Sequence, residues 1–195
     1  MRFQGHGDSS LTARGRAQAH ALGKRLQAMT IDSLISSDLG RARETAAIIA
    51  TYTGHAIQSD PRLRERHYGV LEGLTAGEIL ETHPGAYEKL ITEDPDFLIP
   101  EGETHRQHYT KNITVIEEWS QKRRGTTAAL VTHGGVLENF FRYVAHLDLR
   151  QPRCVLPANA SLSVIQCGTF YGATRWVIKT WGDAAHLETL EDWQL

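Results

Sequence analysis

Three short segments carry side chains suited to acid–base and phosphate chemistry. The first, Ser36-Ser37-Asp38-Leu39-Gly40-Arg41-Ala42-Arg43-Glu44-Thr45-Ala46, follows an apolar run and opens a helical pattern. Its Arg41 brings a planar fork of donors near a helix start, which suits a phosphate. The second, Val131-Thr132-His133-Gly134-Gly135, puts a titratable imidazole at the end of another apolar run. The glycines after it leave helix N-terminal N–H groups open to an anion. The third, Arg62-Leu63-Arg64-Glu65-Arg66-His67-Tyr68-Gly69, packs three arginines, a glutamate and a histidine together. There Glu65 reads as a general acid among phosphate-binding cations, because bound phosphate favours its proton. Each segment also has a plainer reading. Arg41 and Arg43 could be solvated helix residues, His133 a hydrogen-bonded turn residue, and 62–69 a polar surface loop. A cation, an imidazole and free N–H groups at matching ends of two strands favour a phosphate pocket.

Other chemistry is less well supported. His105 and His108 stand three apart on a helical stretch. They read as half a metal site or, by preference, as a solvated face, since no Asp or Cys cluster completes the set. There is no G-x-S-x-G elbow, Walker loop or H-E-x-x-H. Cys154 and Cys167 read as ordinary thiols, and the four tryptophans as core or rim residues.

The elements that must position these groups alternate along the chain. Thr12 is placed to cap a helix over Ala13–Met29. Residues 32–37 read as a short buried strand. Leu39–Tyr52 reads as a helix stopped by Gly54, and 56–58 as a strand. Thr75 and Glu78 form a capping box, and Pro84 ends or breaks the helix that follows. Residues 94–103 read as a surface loop, with a long helix from Thr104 to Arg123 behind it and Gly125 as its stop. Residues 128–132 form the clearest buried strand, followed by a helix over Val136–Ala145 and late strands at 161–166 and 175–179. This alternation gives an α/β class, a three-layer α/β/α sandwich with a mostly parallel central sheet. One feature is odd: Gln4-Gly5-His6-Gly7-Asp8 leads straight into a helix. A βα pattern that starts with its α is expected to have lost its first strand.

The 195 residues suit one domain with a sizeable core. Lys and Arg number 21 against 23 Asp and Glu, so net charge gives no pull toward nucleic acid or membrane. No apolar run approaches the roughly 20 residues of a membrane helix, and the first residues lack a signal-peptide core. The expected location is the cytoplasm.

Five segments in order resemble the histidine phosphatase superfamily, the phosphoglycerate mutase-like enzymes. They are Arg2-Phe3-Gln4-Gly5 with Asp8, Leu11-Thr12, Gly15 and Gln18-Ala19; Ser37-Asp38-Leu39-Gly40-Arg41-Ala42 with Thr45-Ala46; Glu65-Arg66-His67-Tyr68-Gly69 with Leu71 and Gly73; Pro100-Glu101-Gly102-Glu103-Thr104; and Thr132-His133-Gly134-Gly135. The resemblance implies that fold, covering 1–195 as one domain. It also implies two-step phosphoryl transfer through a phosphohistidine, with no metal or other cofactor. By likeness, Arg41 and His133 bind the phosphoryl group, and Glu65 protonates the leaving oxygen and then activates water. Gln4, Gly5, Arg66, Tyr68 and Gly134 line the substrate.

The family's nucleophile lies in an Arg-His-Gly motif ending the first strand, upstream of Arg2-Phe3-Gln4-Gly5. That motif does not occur in this sequence. Gly5-His6-Gly7 is a poor substitute, because Gly5 replaces the arginine and no strand precedes it. The cofactor-dependent mutases carry a lysine where this chain has Ala76 and an asparagine where it has Gly135. The expected substrate is therefore a small-molecule phosphate monoester, hydrolysed rather than isomerised, by a monomer or a homodimer. The alternatives are a non-catalytic phosphate-binding or regulatory protein on this fold, a phosphoglycerate mutase, and a metal hydrolase using His105 and His108.

Overall fold

The computed structural model describes residues 2–7, 9–92, 94–188 and 190. Its centre is β1 (Ser33–Ser36), buried along its whole length. It pairs in parallel with β2 (Ile57–Ser59) on one side and β3 (Ala128–Val131) on the other. Leu34 lies opposite Ile57 and Ala129, and Ile35 opposite Gln58 and Leu130.

Because side chains alternate across a strand, this register sorts the apolar residues onto two faces. Leu34, Ala129 and Val131 pack with Leu22 and Leu26 of α1 (Ala13–Gln27) and Ile49 of α2 (Gly40–Thr53). Ile35, Ala128 and Leu130 pack with Val115 and Ile116 of the long helix over His105–Lys122 and with Val136 and Phe140 of the helix over Gly134–Ala145. The result is the three-layer α/β/α sandwich expected from the alternation.

The helix ends follow their sequence signals. Thr12 Oγ1 accepts from Gly15 N, and Gly54 closes α2 in the left-handed region at φ +72°. Thr75 and Glu78 cap α3 (Ala76–Thr82), and α4 (Pro84–Ile91) starts anew after the break at His83. Thr104 and Gln107 form a second capping box at the start of α5 (His105–Lys122). α6 (Gly134–Ala145) begins two residues earlier than expected, directly after His133.

The late strands are longer than their patterns suggested. β4 (Leu162–Phe170) and β5 (Ala173–Asp183) form an antiparallel hairpin. Tyr171 and Gly172 both have positive φ, matching a two-residue turn of the twist a hairpin needs. The hairpin shares the core: Ile165 and Trp176 join the α5–α6 face, and Leu162 joins the α1–α2 face.

Two expectations need correction. β3 is only partly buried, because among the described residues it pairs with β1 alone. The 94–103 segment is not wholly a surface loop. Ile99 is fully buried against Leu71 and Ile79, so the segment is stitched to the rest of the fold. No helix among the described residues is long and apolar enough to cross a membrane.

Candidate active site

The carboxyl ends of β1 and β3 are held together by Ser37 N donating to Val131 O at 2.9 Å. This contact brings the first two chemical segments to one edge, where open α/β sheets bind ligands. His133 forms the junction: one ring nitrogen, Nε2, lies 2.8 Å from Ser37 Oγ. The imidazole is buried, and burial lowers its pKa to about 4, with the negative Glu65 pulling upward and Arg41 downward. His133 is therefore neutral near pH 7.

Arg41 reaches from the first turn of α2 across to the early loop. It donates to Gly5 O at 2.9 Å and to Gly7 O at 3.1 Å. Gly5 is buried with φ +51°, and a Cβ there would overlap the Glu72 carboxylate. Glu72 Oε1 accepts from His6 N at 2.8 Å and Tyr68 N at 3.1 Å, which ties the early loop to the acid segment. His6 Nε2 bonds Glu65 O at 2.9 Å, and its ring rests on that of His67. Gln4 is exposed; its side chain meets only Ser9 Oγ, at 3.5 Å, among the described residues. Asp8 lies outside the described residues.

Glu65 sits beside His133. Its Oε2 accepts from Gly135 N at 3.0 Å and its Oε1 from Arg66 N at 2.8 Å. A Cβ on Gly135 would overlap that carboxylate, so a side chain at this position requires the Glu65 carboxylate to shift. The backbone leading to Glu65 is fastened residue by residue. Arg62 O accepts from Asn112 Nδ2, Leu63 O from Thr132 Oγ1, Arg64 O from His108 Nε2 and Glu65 O from His6.

The arginines of this segment correct the sequence reading. Arg64 is clamped by both oxygens of Asp38 at 2.7 and 2.6 Å, and Arg62 by Asp60 and Glu118. Both are structural ties rather than phosphate binders. Arg66 differs: it bonds the carbonyl of Glu103 and lies 5.6 Å over the Tyr68 ring, and burial lowers its pKa. Burial, reinforced by Glu65, raises the Tyr68 phenol, which stays a neutral donor. Arg43 is exposed, in line with its plainer reading.

The His105–His108 pair is neither half a metal site nor a solvated face. His108 is 1% exposed with both ring nitrogens hydrogen-bonded. His105 Nε2 bonds Asn139. Among the described residues no group of three or more His, Cys, Asp or Glu could hold a metal. Cys154 and Cys167 are free and exposed.

The geometry thus joins Glu65, His133, Gly134, Arg41 and Gly5 at one edge, with Arg66 and Tyr68 flanking Glu65. Ser37, Asp38, Glu72, Asn112 and Asn139 position them, and sequence reasoning assigned them no role. Ser37 and Asp38 lay inside a quoted motif. For Asn112 and Asn139 only a buried position on a helix could have signalled a role.

A family model described as the histidine phosphatase superfamily (branch 1) matches residues 1–184. The chain belongs to the histidine phosphatase superfamily. It is 35% identical over 190 residues to phosphoglycerate mutase-like protein 4 of Arabidopsis thaliana, covering 96% of this chain and 80% of that one. It is 34% identical over 188 residues to the probable phosphoglycerate mutase GpmB of Klebsiella pneumoniae, covering 96% and 87%. Among solved structures, Bacillus stearothermophilus YhfR superposes with TM-score 0.85 at 31% identity, covering 96% and 91%. A mycobacterial glucosyl-3-phosphoglycerate phosphatase with VO3 superposes with TM-score 0.80 at 28% identity, covering 93% and 91%. These histidine phosphatase structures share the architecture described above.

Proposed function

We propose that this chain is a metal-independent phosphomonoesterase acting in the cytoplasm on a small phosphate monoester. The observation that carries this reading is the meeting of Glu65 and His133, the carboxylate held by the N–H of Gly135 two residues beyond the imidazole. Arg41 and His133 hold the transferring phosphoryl group and stabilise its charge. Gln4, Gly5, Arg66, Tyr68 and Gly134 line the ester.

The resemblance implies a histidine nucleophile at the end of a strand, for which the parallel position beside β3 is the matching place. Two observations support this placement. β3 has one strand partner among the described residues, and the β4–β5 hairpin contributes to the same two apolar faces as β3. In the first step an imidazole nitrogen attacks phosphorus. A P–N bond forms, the ester P–O bond breaks, and Glu65 gives its proton to the leaving oxygen. In the second, water attacks, Glu65 takes its proton, and the P–N bond breaks to release phosphate.

Hydrolysis is favoured over isomerisation by Gly135 and Ala76. The cofactor-dependent mutases carry asparagine and lysine at these positions, where this chain has neither. Replacing Glu65→Gln tests the reading. Loss of the general acid should lower kcat/KM, which reports the first step alone, on an alkyl phosphate by roughly 10²–10⁴. On 2,4-dinitrophenyl phosphate, whose leaving group needs no proton, the loss should be far smaller. Equal losses on both esters, or no loss, would contradict the assignment.

A further inference from the structure

Behind the acid segment, where α5 packs on α6, lies a group of buried polar side chains that the proposed mechanism does not use. Asn112 and Asn139 are fully buried and His108 nearly so. Such groups are costly in an apolar interior unless every donor and acceptor is matched. Here the matching has one consistent direction. Arg64 O can only accept, so His108 Nε2 carries the hydrogen of that 3.1 Å bond. His108 Nδ1 is then a bare acceptor and takes a hydrogen from Asn139 Nδ2 at 3.0 Å. The other hydrogen of Asn139 Nδ2 goes to Asn112 Oδ1 at 2.8 Å. Asn112 Nδ2 in turn donates to Arg62 O at 3.0 Å. Asn139 Oδ1 faces His105 Nε2 at 2.9 Å, which fixes the amide against a flip.

The two outputs of this network are therefore the carbonyls of Arg62 and Arg64, the latter belonging to the peptide that leads into Glu65. We propose that His108, Asn139 and Asn112 are positioning residues that set the carboxyl of Glu65 against the leaving oxygen. The inference rests on Glu65 being the general acid. None of the three touches substrate; each acts through the backbone of the acid segment. Apolar side chains could fill the same volume between two helices. They could not hold two loop carbonyls at fixed distance from α5, nor tie α5 through the Asn139 amide to the helix whose Gly135 N–H holds the Glu65 carboxylate.

The test compares His108→Leu, His108→Gln and Glu65→Gln in the active enzyme on an alkyl phosphate and on 2,4-dinitrophenyl phosphate. A misplacement of the acid by about an ångström costs on the order of 10²-fold. His108→Leu is therefore expected to lower kcat/KM on the alkyl ester roughly 10–100-fold. The value of kcat/KM on the activated ester should hardly move. Glutamine can donate to Arg64 O through Nε2 and accept from Asn139 through Oε1, so His108→Gln should restore most of the alkyl rate. Equal loss on both esters, or none, in His108→Leu would overturn the inference while Glu65→Gln still discriminates. If Glu65→Gln itself fails to discriminate, the acid assignment falls and the network's role with it.

Should His108→Leu fail to fold, Asn112→Ala carries the same comparison, because it removes one output and keeps the other. Amide exchange gives a readout without turnover. The Arg66 and Gly135 N–H groups that hold the Glu65 carboxylate should exchange faster in His108→Leu, relative to Ile49 in α2, and recover in His108→Gln. Uniform quickening across the chain would overturn the inference.

Discussion

Burial of two histidines gives the molecule a pH-dependent stability with a defined sign. Burial lowers His133 to about 4 and His108 to about 3, against 6.5 in the unfolded chain. Between pH 6.5 and about 4 the unfolded chain binds protons that the folded one refuses, so stability falls as pH falls. Each histidine contributes about 1.4 kcal/mol per pH unit in that window, or about 2 kcal/mol by pH 5. Asp38, held below its ordinary range by Arg64, adds its own loss only below about pH 3.8. Denaturant melts at pH 7 and pH 5 should therefore show a marked loss in the parent protein. The loss should be smaller by about 2 kcal/mol in His108→Gln, which has one fewer titrating group. Equal losses would show that His108 is not held neutral. At this scale Glu65, His133 and Arg41 were legible because residue type and place at a strand end coincide. The partners that fix them were not. Asn112 and Asn139 meet Arg62 and His108 across separations of 50 and 31 residues, and local sequence carries no sign of such encounters. Arg62 and Arg64 misled for the same reason, since Asp38 and Glu118 lie in other elements.

The elements were more legible than their surroundings. Thr12, Gly54 and the Thr75–Glu78 box mark helix ends by local chemistry, and the chain obeys them. The burial of β3 was misread, because burial depends on neighbours and not on an apolar run alone. The start of α6 shows how an element serves the site. Gly134 and Gly135 form its first turn, yet glycine is a poor helix former. The reason at Gly135 is contact: its bare Cα lets Glu65 lie against the helix end and accept its N–H. Gly135→Ala should therefore separate activity from stability. Helix propensity gains up to about 1 kcal/mol, partly offsetting displacement of the carboxylate. The expected outcome is a melting temperature near that of the parent with kcat on an alkyl phosphate lowered at least about tenfold. Unchanged turnover would mean that Glu65 does not work from this seat.

In the whole molecule, two apolar clusters lie on opposite faces of one sheet, and both recruit residues from β3 and from the β4–β5 hairpin. The three-layer class was legible because alternating helix and strand patterns admit few packings. The antiparallel hairpin was not, since its period-2 signal is broken by bulges near Leu162 and Val164. The proposed phosphomonoesterase gathers acid, imidazole and guanidinium at the carboxyl edge of this sheet and works through a phosphohistidine. The most direct measurement is the mapping of the phosphoryl adduct in the protein from its source, quenched during turnover of a phosphate monoester and digested under alkaline conditions that preserve phosphohistidine. A phosphohistidine at a position other than His133 and His6 is the expected result. An adduct on His133 or His6, or turnover with no histidine adduct at all, would contradict it.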